Sequence, residues 1–134
     1  MLPLTGGARP PSEILADRLK DNGLVCLMSD RDLTRSGVPV SFFGEQTRLP
    51  SGPAKLALQT GAALLPVHTW FEKDGWGLRI HAPLDTSSGD IGSITQALAD
   101  HFAAGIAEYP ADWHMLQPQW LADLSDERRA RLEG

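Results

Sequence analysis

Cysteine is nearly absent from this sequence, since Cys26 is the only one in 134 residues. A single thiol excludes a disulfide within the chain and any metal site built from several cysteines. Cys26 lies inside the apolar run LVCLM, which predicts a buried thiol. This cysteine usage fits a protein of the reducing cytoplasm.

Long apolar runs and basic clusters are also lacking. No stretch approaches the roughly 18 apolar residues that a membrane-spanning helix needs, and the opening MLPLTGGARPP does not have the pattern of a signal peptide. The formal net charge is −5, and no lysine and arginine cluster is interleaved with aromatic residues. We therefore expect no nucleic-acid partner, and only peripheral contact with a membrane.

Most common catalytic motifs are missing as well. The sequence contains no Walker loop, no Gly-x-Gly-x-x-Gly, no Gly-x-Ser-x-Gly and no His-x-x-x-His or His-Glu-x-x-His pattern. We therefore expect no metal site. The four histidines stand at no spacing typical of a base or a ligand set, so structural or surface roles are favoured over catalysis. They are His68, His81, His101 and His114, of which His114 is the least clear.

What is present indicates one α/β domain, a mixed β-sheet flanked by helices. The composition, 42% apolar and 22% charged, is that of a globular protein. Apolar runs bounded by glycine, proline and asparagine predict strands, and apolar residues at helical spacing predict helices. The predicted strands are residues 2–4, 24–28, 38–43, 62–71 and 76–84, and the predicted helices are 12–22, 51–61, 94–108 and 125–132, with a Gly6-Gly7 loop near the start and an extended strap over 109–120.

Charged residues follow several of these strands, and the stretch 38–55 is the centre of the pattern. Glu45 and Arg48 stand three residues apart in a predicted loop, before a helix that starts near Ser51. A carboxylate and a guanidinium at that spacing can orient a base and bind a phosphate, or they can form an ordinary surface ion pair.

Arg9 and the run Asp30, Arg31, Asp32 follow other predicted strands. If the strands are parallel neighbours, these charges converge with Glu45 and Arg48 at one edge of the sheet. The aspartates and Arg31 could equally form a self-neutralised structural cluster. For Phe42 and Phe43, a place in the core is favoured over lining an acyl channel.

The segment SDRDLTRSGVPVSFFGEQTRLPSGPAKLALQTGAALLPV resembles the central blocks of the lipid A biosynthesis type of lysophospholipid acyltransferases. Together with LPLTGGARPP, KDGWGLRI and DWHMLQPQWLADLSDERRARL, it is similar to the phosphatidylinositol mannoside acyltransferases of actinobacteria. The resemblance implies a glycerol-3-phosphate acyltransferase-like fold at the cytoplasmic face of the membrane. It also implies transfer of an acyl group from acyl-CoA to a mannose hydroxyl of phosphatidylinositol mannoside, without a metal or other cofactor.

The resemblance also implies roles for particular residues. Glu45, in Glu-x-Thr-Arg, would orient the catalytic histidine and stabilise its positive charge. Arg48 would bind a phosphate of coenzyme A or of the lipid, and Arg9 would bind the acceptor. Asp30, Arg31 and Asp32 match a family signature that we interpret as structural support for the pocket.

One departure from the family is important. The family base is the histidine of a His-x-x-x-x-Asp/Glu motif, and no histidine here has an acid five positions later. We therefore expect the chain to be the carboxy-terminal half of a longer enzyme, with residues 1–121 in the acyltransferase domain, 122–134 as a charged tail, and the histidine upstream. The alternatives are a non-catalytic module that binds lipid or phosphosugar, and an enzyme with a lipid A type acceptor.

Overall fold

The computed structural model describes residues 9–133. The predicted strand 2–4 and the Gly6-Gly7 loop lie outside them. No helix within the described range is long and apolar enough to cross a membrane. In order, the elements are α1 (Pro11–Lys20), β1 (Val38–Phe42), β2 (Glu45–Leu49), α2 (Gly52–Thr60), β3 (Val67–Glu72), β4 (Gly75–Ile80), α3 (Ile91–Glu108) and α4 (Asp126–Glu133), with 3-10 turns at Pro110–Asp112 and Leu121–Asp123.

The strands form two separate antiparallel hairpins. β1 pairs with β2 from Val38 opposite Leu49 to Phe42 opposite Glu45. β3 pairs with β4, with Glu72 opposite Gly75 at the turn. The combination of helices and strands confirms the α/β class, but the prediction of one mixed sheet is wrong for residues 9–133, where no two strands run parallel.

The predicted strand over residues 24–28 is also wrong, because this segment has no regular secondary structure. Leu24 is 78% exposed and Met28 is 90% exposed, and the Cys26 thiol, predicted to be buried, is exposed as well. A continuous apolar run predicts a strand covered on both faces. Here only Val25 is partly buried, and it lines a small apolar cavity beside α2 together with Leu27, which is 40% exposed.

The predicted helices are confirmed, with α3 as the central one. The Asp90 carboxylate caps α3 by accepting a hydrogen bond from the Ser93 N–H at 2.8 Å. One apolar stripe of α3 contributes two buried residues, Ile94 and Leu98, and two partly buried ones that pack on the core, Phe102 and Ile106. That core joins α3 to the first hairpin through Val40, Phe42, Leu49 and Ala99.

The second hairpin packs on α3 through one of its faces. Trp70 lies over Gly77, and the His68 ring lies against Gly105, so that a Cβ at either glycine would collide with a ring. Trp70 and Tyr109 stack on each other at 4.9 Å, and the His68 ring lies beside this pair, with its centre 5.9 Å from each ring centre. Small residues therefore allow the rings to approach the backbone, which gives His68 the structural role that its sequence context favoured.

The surroundings of His68 predict that the stability of the fold depends on pH. Burial lowers the pKa of His68 below its ordinary 6.5, and nearby Arg79 lowers it further, although Glu108 acts in the opposite direction. The unfolded chain therefore takes up the proton more readily, so the free energy of unfolding should fall as the pH drops through 6.5.

We expect urea midpoints measured between about pH 7.5 and 5.5 to fall less in His68→Gln than in the unchanged chain. His114→Gln is the control, because His114 is exposed. An equal fall in all three proteins would show that His68 does not cause the pH dependence.

Candidate functional site

The tip of the first hairpin has an unusual backbone. Phe43 and Gly44 form the two-residue turn between β1 and β2, and both have positive φ angles, 52° and 80°. Glycine adopts this conformation freely, but for a bulky residue such as Phe43 it is strained. Residues held in strained conformations are enriched at functional sites, which draws attention to this tip.

Glu45 follows the turn directly and is exposed. It was predicted to lie in a loop, but it is the first residue of β2 and pairs with Phe42. The hairpin turn takes only two residues, so the ladder starts at once and Glu45 belongs to it. Thr47 and Leu49 lie on the same strand face as Glu45 and are buried. The Glu45 carboxylate is therefore at the end of the strand where this buried face meets solvent.

Arg48 lies on the opposite face of β2 and also belongs to the strand rather than to a loop. Its guanidinium donates hydrogen bonds of 3.3 Å to the carbonyl oxygens of Arg35 and Gly37. The Arg48 carbonyl accepts a hydrogen bond from the Asp32 N–H at 2.9 Å. Arg48 therefore connects the preceding loop to the hairpin, and its Nε is buried without a hydrogen-bond partner.

The signature residues 30–32 are joined to the C-terminal strap. Arg31 Nε donates to the Pro118 carbonyl at 2.7 Å, and the Asp30 carbonyl accepts from Gln119 Nε2 at 2.9 Å. The Asp32 carboxylate accepts from the Thr34 hydroxyl at 2.7 Å. These contacts join the segment to the strap and to its own loop, and its role as support for a pocket stays a prediction.

The strap over residues 109–120 packs against the back of the hairpin. Trp120 Nε1 donates to the carbonyl of Phe42 at 2.9 Å. The rings of Trp113 and Trp120 lie 6.1 and 6.3 Å from the Phe42 ring. The two tryptophans therefore anchor the predicted strap to the first hairpin.

Gln119 was not identified from the sequence, although it is 1% exposed. Its backbone carbonyl accepts a hydrogen bond from the Thr47 hydroxyl in β2, while its side chain donates to residue 30. Its position between Pro118 and Trp120 was the only available signal, and no pattern distinguishes such a glutamine from a surface one. Gln119, in the strap, therefore connects to both β2 and the segment 30–32.

The buried Thr47 hydroxyl provides a test of this connection. Replacing Thr47 with valine keeps the shape of the side chain but leaves the Gln119 carbonyl without its donor, which should cost about 1–3 kcal/mol of unfolding free energy. Thr60→Val is the matched control, because the Thr60 hydroxyl donates to Leu56 within α2. Urea denaturation of both variants measures the difference, and equal losses would contradict the role of Thr47.

Arg9 does not take part in the hydrogen bonds that join the first hairpin, residues 30–32 and the strap. It forms ion pairs with Asp17 at 2.7 Å and Glu13 at 3.4 Å on α1, and the bond to Asp17 is the main cause that raises the pKa of Arg9. All three side chains are about half exposed, so the ion pairs contribute little stability.

The predicted site residues do not form one cluster in the described part of the chain. Within residues 9–133, no ion pair or hydrogen bond joins the side chains of Glu45, Arg48 and Arg9. The expected convergence depended on parallel strands, and the hairpins are antiparallel. The same residues contain no group of three side chains able to hold a metal ion.

A cavity of about 330 Å³ lies between α1 and α2, away from the hairpin tip. Its lining is mainly apolar, with Lys55 on one side, at the amino end of α2. An apolar cavity beside an ammonium group suits a ligand with an acyl chain and an anionic group. The lining residues are Ser12, Leu15, Leu27, Gly52, Lys55, Leu56 and Gln59.

Comparison with known proteins identifies the family of this chain. A sequence model described as bacterial lipid A biosynthesis acyltransferase matches residues 1–122. The chain belongs to this family. It is 75% identical over 132 residues to a phosphatidylinositol mannoside acyltransferase of Mycolicibacterium smegmatis, covering 98% of this chain and 43% of that protein.

A protein of the same name from Mycobacterium tuberculosis is 67% identical over 134 residues, covering 100% of this chain and 42% of that protein. The chain therefore spans about two fifths of the length of the curated relatives it matches. The resemblance found in the sequence is confirmed at the level of both the family and the relatives.

Proposed function

We propose that this chain is part of an enzyme that moves a fatty acyl group from acyl-CoA to a mannose hydroxyl of phosphatidylinositol mannoside, at the cytoplasmic face of the membrane. The observation that carries the proposal is the 75% identity, over 98% of the chain, to a protein of that name. In the complete enzyme the hydroxyl attacks the thioester carbonyl, and coenzyme A leaves as the thiol. No metal or other cofactor takes part in this proposal.

Glu45 is the catalytic residue of the proposal. A histidine from outside this chain takes the proton from the sugar hydroxyl, and the Glu45 carboxylate orients its ring and stabilises the imidazolium. The exposed position of Glu45 at the hairpin tip leaves room for that histidine. The strap and residues 30–32 support the hairpin from behind, which limits its movement.

The two arginines of the proposal bind anionic groups. Arg48 binds a phosphate of acyl-CoA or of the acceptor lipid, and Arg9 binds the acceptor. To bind a ligand, each arginine has to release its present partners. The ion pair of Arg9 is exposed and the hydrogen bonds of Arg48 are 3.3 Å long, so this exchange is possible. In the assembled enzyme we expect a glycerol-3-phosphate acyltransferase-like fold.

A second candidate is a module that binds lipid or phosphosugar without catalysis, which the cavity beside Lys55 favours. A third candidate is an acyltransferase with a lipid A type acceptor. The description of the family fits this candidate, but the names of the two mycobacterial relatives do not.

A chimera distinguishes these candidates. In the chimera, this chain replaces the matched segment of the M. smegmatis relative, so that the unmatched part is supplied. We expect radiolabelled acyl transfer to phosphatidylinositol mannoside with the chimera and none with the 134-residue chain alone, because His-x-x-x-x-Asp/Glu is absent from this sequence. Activity of the chain alone would refute the claim that the base lies elsewhere. An inactive chimera that binds the lipid would favour the binding module.

A further inference from the structure

The second hairpin has one covered face and one open face. The register places Val67 opposite Ile80, Thr69 opposite Leu78 and Phe71 opposite Trp76, and directly opposed residues point to the same side of a hairpin. All six are exposed. We call them the open face: Val67, Thr69, Phe71, Trp76, Leu78 and Ile80.

The other face of this hairpin is already occupied. His68 lies against Gly105, Trp70 stacks on Tyr109 at 4.9 Å, and Arg79 forms an ion pair with Glu108 at 2.7 Å. Within residues 9–133, the second hairpin is therefore covered on the α3 side only. Five of the six open-face residues are apolar, and their exposed fractions reach 69% at Trp76. A contiguous exposed apolar face of this kind marks an interface.

Residues 24–28 show the same one-sided cover. Val25 is partly buried and lines the cavity beside α2 together with Leu27, which is 40% exposed, whereas Leu24, Cys26 and Met28 do not line it and are exposed. Their apolar sequence is that of a strand covered on both faces. Two separate segments of the chain thus have helices packed on one side and apolar side chains exposed on the other.

We propose that the open face is the docking surface for the remaining part of the acyltransferase, which packs an apolar layer against it. The two relatives, which match 98–100% of this chain, contain more than half of their length outside the match, so in those proteins such a part belongs to the same polypeptide. Tethering keeps it at a high effective concentration. Apolar layers on both sides of a strand pair are the usual architecture of α/β domains.

The charge distribution favours this occupant over a membrane. Surfaces that bind anionic bilayers carry lysine and arginine around their apolar residues. The open face contains no cation: of the two cations within residues 67–80, Arg79 points to the other side of the hairpin and Lys73 lies in the turn between the strands. The formal net charge of the whole chain is −5.

Thiol labelling tests the proposal. Leu78→Cys is introduced into the chain alone and into the full-length chimera, in both cases with Cys26→Ser, and the labelling rate by a maleimide is measured. We expect the rate at position 78 to be at least about tenfold lower in the chimera, because a docked layer excludes the reagent. Ala104→Cys, exposed on α3, is the control and should react at similar rates in both proteins.

The outcomes separate the possible occupants. Equal labelling of position 78 in both proteins overturns the proposal. Protection of the chimera only after addition of phosphatidylglycerol vesicles assigns the face to a membrane, and protection of the chain alone at high concentration assigns it to a second copy. Both results also overturn the proposal. Because labelling requires no acyl transfer, a protected but inactive chimera refutes the proposed function and not the interface.

Discussion

The chimera carrying Glu45→Gln is expected to lose acyl transfer by about 10²- to 10⁴-fold in kcat, the range associated with general acid–base catalysis and the orientation of its base. Glutamine keeps the shape of Glu45 but cannot stabilise a developing imidazolium. The substrates do not depend on this carboxylate for binding, so KM should change much less than kcat. Steady-state rates with radiolabelled acyl-CoA measure both quantities.

Gln46→Ala is the matched control for this prediction. Gln46 is the next residue of β2, is also exposed, and lies on the opposite strand face, so its loss should leave the rate nearly unchanged. The pH profile gives a second readout, because loss of the carboxylate should lower the pKa of the histidine and shift the acid limb to lower pH. Similar rates for Glu45→Gln and the unchanged chimera would remove Glu45 from the mechanism.

The sequence predicted best those elements whose signals are local. α2 ends at Thr60, and the next residue, Gly61, has the left-handed φ of 73° that is typical of a glycine at the end of a helix. α3 follows its apolar stripe, and the second hairpin forms between the predicted strands 62–71 and 76–84. In each case, capping residues and spacing within about twenty positions determine the structure, so no distant partner has to be known.

The predictions failed where a strand needs a distant partner. Residues 24–28 have the composition of a buried strand, yet they remain irregular because no described strand pairs with them. The mixed sheet was inferred from the same assumption of parallel neighbours. An apolar run indicates that a segment will be covered, but it does not identify what covers it.

The same contrast between local signals and distant contacts applies to the candidate site. Glu45 and Arg48 were singled out by their spacing and by the family resemblance, but the sequence did not show that they lie on opposite faces of a strand. Gln119, which connects the hairpin to the signature loop, has no sequence signal. Contacts between residues separated by 72 and 89 positions depend on how whole segments pack, which single-sequence patterns do not encode.

Phe42→Ala is expected to cause the largest loss of stability in this chain. Phe42 is 2% exposed and lies in the core cluster with Val40, Leu49 and Ala99. Removal of such a ring costs about 3–5 kcal/mol through lost burial and the cavity left behind. Since a domain has only about 5–15 kcal/mol of stability, this variant should be unfolded at much lower urea concentrations.

Phe43→Ala is the matched control, because the same side chain is removed one position later. Phe43 is 45% exposed at the hairpin tip, so its loss should cost no more than about 1 kcal/mol. Circular dichroism in urea at several concentrations of the 134-residue chain compares the two variants. A larger loss for Phe43→Ala than for Phe42→Ala would mean that the hairpin is packed through its tip, and the face of β1 assigned to the core would be wrong.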